Sequence, residues 1–161
     1  MSEVEPHNTQ ADRSTIKITI TESIEVQRSP DFVWNFTQDY QRRCEWDASV
    51  LEATVLHREP IPRIRVRCAG GVQAVFQYKQ FDRPYRTSLV MEDVRSWLIV
   101  GGGGSWSYAA HNTGTTWTQT NALTVHTGLL GRMLAPFLRY QLRSSTRRAM
   151  NKAKSIMESE V

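Results

Sequence analysis

The feature that most constrains the fold is a change in the spacing of apolar residues towards the C-terminus. In residues 16–26 and again through residues 50–125, apolar residues tend to alternate with polar ones, which is typical of strands with one buried face. After Val125 the apolar residues recur at helical spacing: Leu130, Met133, Leu134, Phe137, Leu138, Leu142, Ala149, Ala153 and Ile156. The sequence therefore predicts an antiparallel sheet of about seven strands followed by an amphipathic helix of about 25 residues or more.

Two short helices are predicted between the first strand and the rest of the sheet. Ser29 is followed by Pro30, an N-cap residue and then a proline at the first helical position. Residues 40–46 are predicted to form the second short helix. The later strands are separated by four turn sequences, at residues 59–62, 70–71, 82–84 and 111–114.

The length of 161 residues suits one domain with a sizeable core. We expect a single α+β domain over residues 15–158, in which a curved sheet wraps round the last helix. Residues 1–14 are polar and aperiodic, and we expect them to form a disordered tail. One helix and a curved sheet leave volume between them, which predicts an internal site for a ligand.

Composition argues against several classes of protein. The sequence contains no run of the about 18 apolar residues that a membrane span needs, and its first 15 residues lack the apolar segment of a secretory signal. We therefore expect a cytoplasmic protein without membrane insertion. The four histidines and the two cysteines, Cys44 and Cys68, show no metal-ligand spacing, so we expect neither a metal nor a cofactor.

The net charge of +4 is concentrated in the last helix. Seven cations and no acid lie between Gly128 and Met157. One interpretation is a solvated helix face, whose cations suit the negative C-terminal end of the helix dipole. The other is weak contact with an anionic surface through Arg143, Arg147 and Arg148. We expect no specific binding of nucleic acid.

Two polar residues interrupt the apolar faces of the predicted strands. Glu22 falls on the buried face of the first strand, where it indicates a cavity polar group or, more commonly, a bulge or a strand end open to water. His57 shares a face with Ala53 and Val55, so we expect it to be buried and hydrogen-bonded. Residues 101–104 are all glycine and predict a bend in their strand, because they lack the spacing of a nucleotide-binding loop.

Five short stretches, in this order, resemble the polyketide cyclase/dehydrase branch of the START-like (SRPBCC) superfamily. They are IEVQRSPDFVW (24–34), YQRRCEWD (40–47), GSWSY (104–108), GTTWT (114–118) and GLLGRMLAPFL (128–138). The family usually has proline after the Trp46-Asp47 pair, where this chain has Ala48. The resemblance covers roughly residues 20 to 157 and implies a helix-grip fold with a hydrophobic cavity under the C-terminal helix. Its members include aromatase/cyclases, ligand carriers and lipid-transfer proteins.

The resemblance also selects residues of the last strand. It turns the face of Trp117 inward, which brings Gln119 and Asn121 to the core side. Buried amides need hydrogen-bond partners, which either a ligand cavity or neighbouring side chains would supply. On the preceding strand Trp106 and Tyr108 share one face, as core residues or as ligand contacts. Tyr108 is the candidate for a polar ligand contact and a weak candidate for a catalytic proton donor.

Two further groups complete the predicted ligand-binding set. Arg43 and Trp46 lie in the short-helix region that borders the cavity mouth in this fold. Met133, Leu134 and Phe137 lie in the first turns of the long helix, over the same mouth.

Three functions are compatible with these residues. The first is binding or carriage of a small hydrophobic molecule, such as a lipid, a polyketide or an aromatic metabolite. The second is a polyketide-type cyclase, aromatase or dehydratase that uses Tyr108 with Arg43 or Gln119. The third is an interaction module that uses the basic helix. The sequence shows no pairing of a nucleophile with a base, so it gives no support to a hydrolase.

Overall fold

Seven antiparallel strands form one curved, open sheet in the computed structural model, which describes residues 15–126 and 131–160. The strands are β1 (Thr15–Val26), β2 (Val50–His57), β3 (Arg63–Cys68), β4 (Gln73–Asp82), β5 (Arg86–Arg95), β6 (Ile99–His111) and β7 (Gly114–His126). Their order is β1-β7-β6-β5-β4-β3-β2, so β2 to β7 form a meander and β1 pairs with its last strand. The predicted α+β class, strand number and turns are confirmed, while the tail predicted over residues 1–14 lies outside the described residues.

Three α-helices accompany the sheet: α1 (Pro30–Gln38), α2 (Arg43–Trp46) and α3 (Gly131–Ser159). Helix α1 begins as predicted, because the Phe32 N–H donates to Ser29 Oγ over 3.4 Å and Pro30 takes the first helical position. Helix α2 is shorter than predicted and begins only at Arg43. None of the helices in the described part of the chain is both long and apolar enough to span a bilayer.

The core divides into two clusters. The larger one packs the C-terminal half of α3 against α1, α2 and the sheet, and includes Trp34, Trp46, Trp117, Met150 and Met157. The smaller one lies towards the opposite edge of the sheet, on β2 to β4, and includes Val50, Ile64, Val66 and Tyr78. Helix α3 packs mainly on β1, which leaves space above the middle strands.

Glu22 lies buried in β1, and neither predicted alternative describes it. The β1–β7 register runs without a shift from Thr15 to Val26, so the strand has no bulge there. Glu22 Oε1 lies 2.8 Å from Arg143 Nε, and Oε2 accepts a hydrogen bond from Arg147 Nε. A buried carboxylate is costly unless it is paired, and these two cations of α3 supply the pairing.

Local irregularities in the strands correct a second expectation. His57 is exposed, so the prediction that it is buried was wrong. Strand β2 shifts register between Val50 and Glu52 and again between Val55 and His57, and such shifts break the simple alternation of faces.

The glycine run lies inside β6, where a Cβ atom at Gly103 would stand 2.5 Å from the Leu89 carbonyl oxygen of β5.

The packing of α3 on the larger cluster is testable by truncating Met150, which is 2% exposed. We expect Met150→Ala to lower the free energy of unfolding by about 2–5 kcal/mol, because it leaves a cavity in a packed core. The exposed neighbour Lys152 gives the control, and Lys152→Ala should change that free energy by no more than about 0.5 kcal/mol. Urea unfolding measures both. Equal stability of the two variants would contradict the packing described here.

Candidate ligand-binding cavity

A cavity of about 280 Å³ lies between the sheet and α3. Its apolar wall includes strand residues and two residues of α3: Val66, Phe76, Leu89, Met91, Leu123, Leu142 and Ala149. Ligand pockets in proteins typically measure about 300–1,000 Å³. The cavity lies at the lower end of this scale and suits a small ligand.

Four of the ten predicted ligand-binding residues line this cavity: Arg43, Trp106, Gln119 and Asn121. Trp46 and Trp117 are almost fully buried and form an aromatic layer beside Trp106, with ring centroids 6.3 and 5.7 Å from it. They support the cavity wall without being part of its described lining.

Three predicted residues of α3 lie outside the cavity. Met133, Leu134 and Phe137 are 79%, 41% and 55% exposed, and the described lining of the cavity begins on α3 at Leu142. Helical spacing predicted which residues share a face, but it does not specify how far along the helix the sheet reaches.

Tyr108 is buried in the larger core cluster, with its hydroxyl bound to α1. The oxygen lies 2.8 Å from Thr37 Oγ1 and accepts a hydrogen bond from Gln38 Nε2 over 2.8 Å. Burial raises the pKa of Tyr108 well above its ordinary value, although these two hydrogen bonds act in the opposite direction. The hydroxyl that was predicted to contact a ligand is therefore bonded to α1, and Tyr108 is not among the described residues that line the cavity.

Arg43 supplies a cation to the cavity wall. Its guanidinium carbon lies 4.2 Å from the ring centroid of Trp46 and 4.7 Å from that of Trp106. Both distances are typical of a cation–π contact, and the contact with Trp46 follows from the placement of Arg43 three residues before Trp46 in helix α2.

Asp47 neutralises that cation. Its Oδ2 accepts from Arg43 Nε over 3.1 Å and lies 2.9 Å from Nη2, while Oδ1 accepts from the backbone N–H and the hydroxyl of Ser49. The side chains of Arg43 and Asp47 are only 13% and 11% exposed. A buried pair of this kind is stable only where hydrogen bonds satisfy the remaining atoms, as they do for both oxygens of Asp47.

Two amide side chains of β7, Gln119 and Asn121, form a polar part of the cavity wall that faces α3. Gln119 is 3% exposed, and its Oε1 accepts from Asn121 Nδ2 over 3.3 Å. Asn121 Nδ2 also donates to Thr146 Oγ1 of α3 over 3.2 Å. The amides thus bond to neighbouring side chains, as one of the two alternatives predicted, and they also line the cavity.

Tyr40 and Cys68, two titratable residues that were not predicted to bind a ligand, also line the cavity. Tyr78 donates its hydroxyl proton to Gln38, so the bond between the Tyr40 and Tyr78 hydroxyls uses the Tyr40 proton. Burial raises the pKa of Tyr40, and burial together with the Asp47 carboxylate raises that of Cys68. The alternation of Cys68 with Ile64 and Val66 on the apolar face of β3 was the sequence signal for its inward position.

A larger and more open depression of about 570 Å³ lies elsewhere, at one end of β4 and β5. Charged and amide groups dominate its wall, among them Arg65, Gln73, Asp93 and Arg95. We place the candidate site in the smaller cavity because it combines apolar walls with buried polar groups, the usual composition of a small-molecule site. Within the described ranges, no group of three or more His, Cys, Asp or Glu residues is arranged to hold a metal ion.

Comparison with known proteins relates the chain to one family. The family model described as "Polyketide cyclase / dehydrase and lipid transport" matches residues 17–158, which is most of the chain. No curated protein matches the chain in sequence.

Solved structures share the fold over most of their length. TTHA0849 from Thermus thermophilus superposes with a TM-score of 0.77 at 13% identity, covering 86% of this chain and 96% of that one. The Zhui aromatase/cyclase from a Streptomyces species gives 0.75 at 12% identity, covering 89% and 94%. A START superfamily protein from Mycobacterium smegmatis gives 0.71 at 10% identity, covering 89% and 99%. At these identities the likeness shows the fold alone.

The buried ion pair at the cavity provides a test of this geometry. We expect Asp47→Ala to lower the free energy of unfolding by about 3–5 kcal/mol, because it leaves the Arg43 cation buried without its partner. The exposed Arg67–Glu52 pair is the control, with side chains 50% and 60% exposed. Glu52→Ala should cost no more than about 1 kcal/mol. Urea unfolding at neutral pH measures both, and equal small losses would show that Arg43 and Asp47 are not a buried pair.

Proposed function

The chain belongs to the polyketide cyclase/dehydrase and lipid transport family, and we propose that it binds and carries a small hydrophobic molecule in the cavity between the sheet and α3. The observation that carries this proposal is the lining of the cavity, which is apolar over most of its wall. Each 100 Å² of apolar ligand surface removed from water there contributes about 2.5 kcal/mol. A lipid, a polyketide or an aromatic metabolite remains the predicted ligand class.

The state of the titratable groups favours binding over catalysis. Asp47 is the only carboxylate in the described lining, and its two oxygens already hold Arg43 and Ser49. Tyr40 and Cys68 have raised pKa values, so neither is a ready proton acceptor near neutral pH. The predicted proton donor of the cyclase alternative, Tyr108, is bonded to α1. A cyclase, aromatase or dehydratase activity therefore remains the second candidate.

The basic helix gives less support to an interaction module. Arg143 and Arg147 are both paired with the buried carboxylate of Glu22, so two of the three predicted surface cations already contribute to the packing of α3 on β1. Contact with an anionic surface remains a prediction.

Cys68 offers a direct readout of ligand binding, because it lines the cavity whereas Cys44 is exposed. We expect saturating 2-ethylnaphthalene to slow alkylation of Cys68 by N-ethylmaleimide several-fold and to leave the rate at Cys44 unchanged. The raised pKa of Cys68 means that less thiolate is present at a given pH, so the labelling is best followed at alkaline pH. Peptide mass spectrometry measures both rates in one sample.

A matched pair of variants shows whether the probe protects Cys68 by occupying the cavity. Ser145 lines the cavity and Ser155 is exposed on the same helix. With Ser145→Phe the ring fills the ligand space, so 2-ethylnaphthalene should no longer protect Cys68. Ser155→Phe should keep the protection. Equal labelling of Cys68 with and without the probe in the unmodified protein would refute the proposed function.

A further inference from the structure

The polar atoms around the cavity are unbalanced in favour of hydrogen-bond donors. Four buried side-chain atoms of this region have no hydrogen-bond partner among the described residues: Arg43 Nη1, Trp46 Nε1, Trp117 Nε1 and Gln119 Nε2. All four are N–H groups, and an arginine or an indole nitrogen has no acceptor capacity. Leaving such a group unpaired in a buried site is unfavourable.

Two of these donors belong to residues that line the cavity itself. Asp47 occupies the Nε and Nη2 edge of the Arg43 guanidinium, which leaves Nη1 as its unpaired end. The Oε1 of Gln119 is held by Asn121, which leaves Nε2 unpaired on a side chain that is 97% buried, given its 3% exposure. Neighbouring groups thus hold both side chains in place, and one NH₂ group of each remains free to donate to a ligand.

The two donors approach the same part of the cavity wall. Arg43 stacks on the ring of Trp106, and Gln119 lies directly opposite Trp106 in the β6–β7 register. Residues that oppose one another across two strands place their side chains side by side on one face. Arg43 and Gln119 therefore flank one aromatic ring at the polar end of the cavity.

We infer that this polar end, formed by Arg43 and Gln119 beside Trp106, recognises a neutral carbonyl oxygen on a hydrophobic ligand. The inference rests on the proposed function and specifies its ligand class. A carbonyl oxygen accepts two hydrogen bonds without contributing a donor, which matches two unpaired N–H groups. The apolar remainder of the ligand lies against the aliphatic wall.

The charge balance selects a neutral oxygen over a carboxylate. Arg43 is already neutralised by Asp47, and the other titratable groups in the described lining, Tyr40 and Cys68, have pKa values raised towards their neutral forms. A carboxylate would therefore bring an uncompensated negative charge into a largely apolar cavity, where burial of an unpaired ion is costly. A ketone, quinone, ester or amide carries the same acceptor atom without that cost.

Three ligands of nearly equal shape test the inference: 2-ethylnaphthalene, 2-acetylnaphthalene and 2-naphthoate. Dissociation constants come from isothermal titration calorimetry with the intact chain. We expect the ketone to bind about tenfold or more tightly than the hydrocarbon, since hydrogen bonds from a charged donor are among the stronger ones. The carboxylate should bind more weakly than the ketone.

A double variant removes the polar end without leaving a buried charge. Arg43→Met combined with Asp47→Leu deletes both ions together, a change that proteins often tolerate. In this variant the ratio of the dissociation constants for the hydrocarbon and the ketone should fall to about one, whatever its affinity for the hydrocarbon. The matched control, Arg67→Met with Glu52→Leu, removes the exposed pair and should keep the preference for the ketone. Gln119→Met should reduce the preference several-fold.

The carbonyl stretching band of bound 2-acetylnaphthalene gives a second readout. It should move to lower frequency in the unmodified protein and return towards its value in hydrocarbon solvent in the double variant. If hydrocarbon and ketone bind equally well, the protein still binds apolar molecules but the inference is wrong. Tighter binding of 2-naphthoate than of the ketone would overturn the choice of a neutral oxygen. If none of the three binds, the proposed function itself fails.

Discussion

The cavity is organised around the ion pair between Arg43 and Asp47. Two charges that are mostly removed from water stay stable there because two indole rings cover the guanidinium and Ser49 satisfies the second carboxylate oxygen. The pair links helix α2 to the start of β2 and to Trp106 of β6. It also places a fixed donor group at the wall of a site whose lining is mostly apolar.

The packing of α3 explains why a cavity exists beside this pair. Small residues such as Ala149 and Ala153 bring the C-terminal half of the helix close to the aromatic cluster on α1, α2, β6 and β7. The second cluster, on β2 to β4, lies towards the opposite edge of the sheet. The volume between the two clusters is covered by the middle of the helix, from Leu142 to Ala149, and this is the ligand space.

The sequence was sufficient for the elements and their order, because alternation, helical spacing, the Ser29 cap and the turn residues are local signals. The inward orientation of Gln119 came from the family resemblance and not from the alternation itself. The sequence was insufficient where a long-range partner or an irregular strand decides the outcome. Glu22 is held by arginines far along the chain, and His57 follows two register shifts. The hydrogen-bond partners of Tyr108 lie on α1, about 70 residues earlier in the chain, and the pattern of β6 does not predict them.

An apolar molecule is expected to bind in the space under α3 and not in the open depression on β4 and β5. The most direct measurement is a titration of the ¹⁵N-labelled protein with 2-ethylnaphthalene, followed by amide chemical shifts. Binding under α3 should give saturable shifts at Gly103, Gly104 and Ala122, which line the cavity, with little change at Asp93 and Arg95. Shifts confined to Asp93 and Arg95, or no saturable shifts at all, would contradict it.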